Sequence, residues 1–348
     1  MPLLFGCRQR HVLEPHITTS MKRAMPRHAP PKDASRSRLA VIPRHAQVRV
    51  HMRQRASVRT RARTWKPKAL CSLLADLPPW WVSLAVLALA RNVKAAATGI
   101  VSLEVFAGQG HLTTEIQNFV GPGETFEIED NPQQNILTDG GAMLLLQGLL
   151  RVTEGGLVWL GVPCQSWVCL SRSYTSRSSV QPQGPPPPFA GQRQREYLAR
   201  HNKIAERVAL VLQTCTLLRL QWVIEQPLSS LLFSYQAIAQ EVRKVGVVSV
   251  CIRMENFRGD SPKPLLLKGT ARFLATLQEV SKLLRGLAAP QRLVVEWTSA
   301  QGVKQFTGKK KALKQSSGYT FAFGAAVALA FRGLDAVSIH RELRAQGY

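Results

Sequence analysis

The sequence predicts an α/β domain with a doubly wound, largely parallel sheet, preceded by a basic arm without regular structure. From residue 100 onward, short β-rich segments alternate with segments of helical periodicity, which is typical of strands and helices wound into such a sheet. Glycines follow the first of these strands, and a Pro-Cys pair ends a later one. Residues 1–68 differ in composition, because they hold 17 Lys or Arg and only 2 Asp or Glu and have no sustained period.

The charge balance of the whole chain favours a polyanion as partner, most often nucleic acid. The 348 residues carry a formal net charge of +25, and the part after residue 68 is still basic. An Arg-rich, acid-poor composition also describes an organelle transit peptide. Residues 1–68 are therefore interpreted either as a disordered basic arm or as a targeting segment, and we expect the protein in the nucleus or in an organelle.

The cysteine pattern excludes a disulfide scaffold and gives no metal site. Six cysteines in 348 residues are too few for a disulfide framework, and no Cys/His group has the spacing of zinc ligands. We expect a reducing compartment and no bound metal.

The segment 69–98 is apolar and predicts a helical element that packs on the following domain. Its uncharged stretch 77–90 has 14 residues and contains Pro78 and Pro79. A membrane span needs about 20 apolar residues. Membrane anchoring through 77–90 is the less favoured alternative, and we expect no membrane partner.

The elements of the domain, residues 99–335, follow one another in a regular order. The first half is read as strand GIVSLEVFAGQGH, helix LTTEIQNFVG, strand ETFEIEDN, a short third strand NIL, helix GAMLLLQGLLRV and strand GLVWLGVPC. The second half is read as a long loop SRSSVQPQGPPPPFAGQRQ, a long helix from 195 to 220, strand QWVIEQP, a helix, strand VVSVCIRMENF and the segment SPKPLLLKG. Residues 336–348 are expected to form a C-terminal helix or tail.

The glycines after the first strand indicate a site for a nucleotide-like ligand. Gly108 and Gly110 lie at a strand-to-helix turn, where the absence of a Cβ atom lets a ligand approach the backbone. Glu127 or Glu129 follows about 20 residues later, where a carboxylate can reach ribose hydroxyls. A third glycine and a phosphate-binding Lys are missing, which favours S-adenosyl-L-methionine over NAD or ATP. A tight turn without a ligand is the alternative.

Two chemically useful side chains end buried strands. Cys164 follows Pro163 at the exit of one strand, and Glu225 ends the next long strand. The carboxyl ends of parallel strands meet at one edge of the sheet, so we expect the thiol and the carboxyl to converge there. The alternatives are an inert buried thiol and a carboxylate that serves only as a helix cap or in an ion pair.

Seven short segments occur in an order that extends this interpretation. They are LEVFAGQGH, FEIE, NIL, GVPCQSW, VIEQP, FRGDSPKPLLLKG and YTFAFGAAVALAF. In this order and at these strand ends they resemble the motifs of the DNA (cytosine-5) methyltransferases over residues 100–332. The resemblance implies a Rossmann-like methyltransferase sheet that binds S-adenosyl-L-methionine.

The resemblance also implies roles for individual residues. Cys164 is expected to be the thiolate that adds to carbon 6 of cytosine, and Glu225 is expected to hold N3 and the exocyclic amine. The expected cofactor-binding residues are Phe106, Ala107, Gly108, Gly110, Glu127, Asn135, Pro163 and Gly324. The target base must leave a duplex to reach such a pocket. DNA is the favoured substrate, and RNA is the alternative.

Departures from the family pattern keep a second function open, namely a catalytically inactive, nucleic-acid-binding relative. Gln226 and Pro227 follow Glu225 in place of Asn-Val, and only Lys263 stands near the place of two expected arginines. Ala325 and Ala326 replace the Asn of the terminal motif, and the target-recognition segment, about 270–317, is small.

Basic residues of the domain are expected to contact the nucleic acid, and we expect a monomer. The expected contacts are Arg172, Arg177, Lys263, Lys309, Lys310 and Lys311. The alternative for the Lys run is a solvated loop.

Overall fold

A computed structural model describes residues 66–91, 99–186, 190–259, 262–286, 294–298, 302, 304–308 and 318–348. The arm up to residue 65 and the Lys309–Lys311 run lie outside these described residues, so the predictions made for them stay predictions.

The predicted α/β class is confirmed, with a mixed six-stranded sheet at the centre. The strands are β1 (Ile100–Val105), β2 (Gly123–Phe126), β3 (Val152–Leu160), β4 (Gln221–Pro227), β5 (Val248–Arg253) and β6 (Pro264–Gly269). Their order across the sheet is β2-β1-β3-β4-β6-β5. Strands β2, β1, β3 and β4 are mutually parallel, and β6 runs antiparallel to both of its neighbours, β4 and β5. All six residues of β1 are buried, as expected for a central parallel strand covered on both faces.

Helices cover both faces of this sheet. They are α1 (Pro67–Leu73), α2 (Pro79–Arg91), α3 (His111–Phe119), α4 (Asp139–Arg151), α5 (Arg172–Thr175), α6 (Gln192–Leu217), α7 (Gln236–Lys244), α8 (Leu274–Leu283), α9 (Phe321–Phe331) and α10 (Ala336–Ala345). Apolar side chains of α1, α2, α4, α6 and α7 form one core layer, and those of α3, α8, α9 and α10 form the other. The C-terminal helix α10 thus joins the core of the domain through Ile339 and Leu343.

The prediction of a third strand at Asn135–Leu137 was wrong, because these residues form a turn. The Asn135 side-chain oxygen accepts a hydrogen bond from the backbone N–H of Leu137 at 3.1 Å. Such a local bond gives the backbone an alternative to a strand ladder. Thr138 then caps α4 by accepting from the N–H of Gly141 at 3.0 Å.

The apolar segment before the sheet forms the two helices α1 and α2, which are separated by a turn that includes Pro78. The Trp81 side chain is buried and donates through Nε1 to the Thr214 hydroxyl of α6 at 3.0 Å. The Arg207 guanidinium lies over the Trp80 ring at 4.1 Å. These contacts fix α2 on α6. Among the described residues, none of the helices combines the length and the apolar character that crossing a membrane requires.

The predicted target-recognition segment contains two different structures. Helix α8 buries Leu274, Leu277 and Val280 in the core. Strands β7 (Val294–Thr298) and β8 (Lys304–Gly308) form a separate antiparallel hairpin. The backbone of β8 lies close to the turn Cys169–Ser171, which follows the Pro-Cys-Gln segment. The hairpin is therefore near the loop that carries Cys164.

Candidate active site

The order of the strands creates a crevice between β1 and β3. After β1 the chain continues to β2 on one side of the sheet, whereas β3 lies on the other side of β1. Ligands of open α/β sheets bind at such a switch point, beyond the carboxyl ends of the strands. The loop after β1 holds Gly108 and Gly110, and the loop after β3 holds Cys164. Both groups of predicted site residues thus flank one crevice.

The loop after β1 has the backbone conformation that its glycines allow. Gly108 and Gly110 have φ angles of +56° and +67°, in the left-handed region that favours glycine. A Cβ atom added to Gly108 would meet nothing within 4 Å. Phe106 also has a positive φ of 59°, which is uncommon for a residue with a side chain and concentrates strain in this loop. Ala107 is buried, so the exposed face of the loop belongs to Gly108 and Gln109.

Glu127 holds this loop in place. Its Oε2 atom accepts from the N–H of Gly108 at 2.9 Å, and its Oε1 atom accepts from the N–H of Glu129 at 3.1 Å. Of the two acids considered from the sequence, Glu127 is therefore the one that reaches the glycine loop, while Glu129 is exposed. Each carboxylate oxygen has a second lone pair, so Glu127 can still accept from a ligand.

The remaining predicted cofactor residues occupy different surroundings. Asn135 is half-buried in the turn before α4, and Pro163 is half-buried between β3 and Cys164. Gly324 lies inside α9, where a Cβ atom would come within 3.0 Å of the His111 carbonyl oxygen. Gly324 thus lets α9 pack closely on α3, which is a packing role at the side of the crevice.

Cys164 follows β3, and Glu225 lies near the end of the neighbouring parallel strand β4. Leu160 and Ile224 are the last residues that β3 and β4 pair with each other, and Glu225 comes directly after Ile224, where β4 still pairs with β6. Burial raises the pKa of the Cys164 thiol, the nearby Lys263 ammonium opposes this rise, and the Glu225 carboxyl adds to it. Cys164, Glu225 and Lys263 are therefore close enough to interact electrostatically.

The Glu225 carboxyl has one engaged and one free oxygen. The residue is 8% exposed. Its Oε2 atom accepts from the Tyr319 hydroxyl at 3.1 Å, whereas Oε1 is buried and has no hydrogen-bond partner within the described residues. A buried carboxylate oxygen without a partner is costly unless something else binds it. Oε1 is therefore available to a ligand.

Gln226 joins the two strand ends, a role that sequence reasoning missed. Its side-chain nitrogen donates to the carbonyl of Val162 at 2.5 Å, and its side-chain oxygen accepts from the Ser230 hydroxyl at 2.8 Å. The first bond ties the exit of β4 to the exit of β3. The signal in the sequence was the Glu-Gln-Pro triplet, in which a polar residue follows Glu225 inside an apolar strand.

Three of the basic residues predicted to contact nucleic acid, Arg172, Arg177 and Lys263, lie within the described part of the chain, and their surroundings differ. Arg172 is exposed and donates to the Ser229 carbonyl at 3.3 Å. Arg177 is only 3% exposed; its guanidinium carbon lies 3.7 Å from the centre of the Trp167 ring, and burial lowers the pKa of Arg177 to about 10. In this position Arg177 supports the Cys164 loop from inside and does not project toward a phosphate. Lys263 is half-buried and near enough to Cys164 to influence the pKa of its thiol.

Glu104 of β1 is a buried acid that sequence reasoning also missed. Its Oε2 atom accepts from the backbone N–H of Thr113 at 2.9 Å and from the Thr113 hydroxyl at 2.7 Å. These bonds hold the start of α3 against β1, below the glycine loop. Burial is the main cause that raises the pKa of Glu104 from 4.5 to about 7, so the folded protein binds this proton more tightly than the unfolded chain.

This carboxyl makes the stability of the domain depend on pH. Between pH 4.5 and 7 the Glu104 carboxyl holds more protons in the folded state than in the unfolded state, so its own contribution to the free energy of unfolding decreases as the pH rises, by about 3 kcal/mol. Glu104→Gln, which imitates the protonated acid, is expected to lack this contribution to the pH dependence of the free energy of unfolding. Urea unfolding at several pH values measures it. Glu279→Gln changes an exposed carboxylate and serves as the control: its free energy of unfolding should depend on pH as that of wild type does. The same pH dependence in Glu104→Gln would contradict the raised pKa of Glu104.

Compared with known proteins, the chain matches no family model, and no curated protein matches it either. Among the described residues, no group of three His, Cys, Asp or Glu side chains lies close enough together to hold a metal ion.

Proposed function

We propose that the protein transfers a methyl group from S-adenosyl-L-methionine to carbon 5 of cytosine in DNA, on a Rossmann-like sheet. The observation that carries the proposal is the placement of Cys164 after β3 and of Glu225 near the end of the adjacent parallel strand β4, with Glu225 Oε1 without a hydrogen-bond partner among the described residues. Methylation of cytosine at carbon 5 needs these two groups, because carbon 5 is a poor nucleophile until a thiolate has added at carbon 6.

The loop after β1 fits the proposed cofactor. Gly108 is exposed, has open space where a Cβ would be, and is held by Glu127, whose remaining lone pairs can accept from ribose hydroxyls. An acidic residue at this position suits a nucleoside without phosphates. Phe106, Ala107 and Gly110 shape the loop, and Asn135 and Pro163 are proposed as further cofactor contacts. Bound S-adenosyl-L-methionine would supply an electrophilic methyl group on its sulfonium.

The side chains of the chain would then act on the base. The Cys164 thiolate bonds to carbon 6, and Glu225 holds N3 and the exocyclic amine while charge develops on the ring. Carbon 5 becomes nucleophilic and takes the methyl group. Solvent water then takes the carbon 5 proton, the electrons of that C–H bond form the double bond between carbons 5 and 6, and the Cys164 sulfur leaves carbon 6 as a thiolate. Lys263 assists by favouring the ionised form of the thiol.

Transfer of labelled methyl groups tests the proposal directly. The full-length protein is incubated with radiolabelled S-adenosyl-L-methionine and with duplex DNA, single-stranded DNA or RNA, and the product base is identified after digestion. We expect 5-methylcytosine in DNA. Label in RNA only would move the substrate to RNA, and label at no base under any condition would contradict methyl transfer to nucleic acid.

A second candidate function is a catalytically inactive, nucleic-acid-binding relative of the methyltransferases. The environment of Cys164 favours it, since burial raises the pKa of this thiol and so opposes formation of the thiolate. Calorimetry with S-adenosyl-L-methionine separates the two candidates. Binding of this cofactor together with methyl transfer supports the enzyme. Binding of nucleic acid with neither cofactor binding nor methyl transfer supports the inactive relative.

A further inference from the structure

Tyr319 connects three parts of the candidate site. Its hydroxyl accepts from the indole N–H of Trp159 on β3 at 2.9 Å and donates to Glu225 Oε2 on β4 at 3.1 Å. Its backbone carbonyl accepts from His111 Nδ1, the first residue of α3, at 2.6 Å. Tyr319 thus bridges the strand that leads to Cys164, the carboxyl of Glu225 and the helix that follows the glycine loop.

The chemistry of the donors fixes the direction of these bonds. An indole N–H can only donate, so the Tyr319 oxygen accepts from Trp159, and the hydroxyl hydrogen is left for Glu225. A carbonyl can only accept, so His111 carries its hydrogen on Nδ1. Burial and the Glu225 carboxyl raise the pKa of Tyr319 well above its usual value, and the hydroxyl therefore remains a donor at neutral pH.

A glycine makes room for this arrangement. A Cβ atom on Gly161 would lie 3.0 Å from the Tyr319 hydroxyl oxygen and 3.1 Å from the Phe106 carbonyl oxygen. Both contacts are tighter than ordinary van der Waals contact. The absence of a side chain at Gly161 therefore leaves room for the tyrosine hydroxyl beside the end of β3.

We infer that Tyr319 is a positioning residue of the proposed reaction. It holds the Glu225 carboxyl through Oε2, leaves Oε1 for the target base, and couples this carboxyl to the cofactor loop through His111. The inference rests on the proposed function, because the carboxyl is positioned for that reaction.

Tyr319→Phe removes the hydroxyl and keeps the ring. Loss of a hydrogen bond to a buried carboxylate is expected to lower kcat about 10- to 100-fold. The dissociation constant for S-adenosyl-L-methionine should stay within about threefold of wild type, since the loop after β1 keeps its own bonds to Glu127. Loss of the fold would change both kcat and the dissociation constant, so a change in kcat alone distinguishes a positioning role from general destabilisation. Methyl transfer to DNA and calorimetry of the cofactor measure the two quantities.

Two further variants sharpen the test. Tyr235→Phe is the matched control, because the Tyr235 hydroxyl also bonds a carboxylate, Glu206 Oε1 at 3.0 Å, outside the Glu225 site; its kcat should equal that of wild type. Trp159→Phe removes the donor that orients the Tyr319 hydroxyl. It should lower kcat in the wild-type background and have no further effect in Tyr319→Phe, because neighbours in one network are not additive.

The outcomes are distinguishable. Active wild type with an equally active Tyr319→Phe variant would overturn the inference and leave the proposed function standing. If the effects of Trp159→Phe and Tyr319→Phe on kcat were fully additive, Trp159 would not act through the Tyr319 hydroxyl, and this part of the inference would be overturned. Wild type that transfers no methyl group to any nucleic acid would overturn the proposed function, and the inference with it.

Discussion

Cys164→Ser is expected to abolish methyl transfer, with a fall in rate of at least about 10⁴-fold. A serine hydroxyl is not ionised near neutral pH, so it cannot replace the thiolate that adds to carbon 6 of the base. The same variant should fail to form the covalent complex that wild type forms with DNA containing 5-fluorocytosine. Binding of S-adenosyl-L-methionine should persist, because the glycine loop belongs to β1. Transfer assays and denaturing gels of the trapped complex measure the two effects.

Cys169→Ser is the matched control for this experiment. Cys169 is also half-buried and lies five residues further along the same loop, with its sulfur 3.9 Å from the Ser229 hydroxyl. The proposed mechanism gives Cys169 no role, so its variant should retain transfer and trapping. Unchanged transfer by Cys164→Ser would exclude the thiolate mechanism, and equal losses in both variants would point to damage of the loop.

The sequence was sufficient to predict the strand exits on which the site depends. The apolar runs that end at Val105, Leu160 and Pro227 are short, β-rich and separated by helical segments, so their carboxyl ends could be assigned to one edge. This periodicity is a local property. It predicted that Cys164 and Glu225 would lie at strand ends on one edge of the sheet. The parallel direction of β3 and β4 agrees with this, and their adjacency is a finding of the structure.

Two expectations from the sequence, a strand at Asn135–Leu137 and an outward-facing Arg177, are not met in the structure. Local side-chain hydrogen bonds or tertiary packing outweigh the sequence preferences on which these expectations were based. At Asn135 a side-chain bond to the Leu137 N–H replaces the expected strand. At Arg177 the aromatic face of Trp167 holds a cation in the interior, although arginine is usually exposed. The residue types alone do not distinguish this inward arginine from Arg172, which is exposed.

Tyr319 could not be found from the sequence for a different reason. Its partner Glu225 lies 94 residues earlier in the chain, and Trp159 lies 160 residues earlier. No periodic pattern links residues at such separations, so the contact depends on how α9 and the segment before it return to the sheet. The acid Glu104 shares this property, because its burial depends on the helices that cover β1.

Gly108→Val is expected to weaken binding of S-adenosyl-L-methionine by at least about 100-fold. The position is exposed and faces open space, so the added side chain would occupy the volume through which a ligand reaches the loop. The valine must also adopt a φ near +56°, which costs about 1–3 kcal/mol of stability. Calorimetry of the cofactor and thermal unfolding separate these two effects.

Gly155→Val provides the control, because Gly155 also has a positive φ and open space where a Cβ atom would lie. It lies in the first half of β3, away from the carboxyl end of that strand. Its φ is +74°, a Cβ there would meet nothing within 4 Å, and its N–H donates to the Arg219 carbonyl at 3.0 Å. The variant should lose a similar amount of stability, about 1–3 kcal/mol, and keep the wild-type affinity for the cofactor. If both variants bind S-adenosyl-L-methionine as wild type does, the crevice between β1 and β3 is not the cofactor site. If both lose binding to the same extent, the loss follows from destabilisation, and only a selective effect of Gly108→Val locates the ligand at the glycine loop.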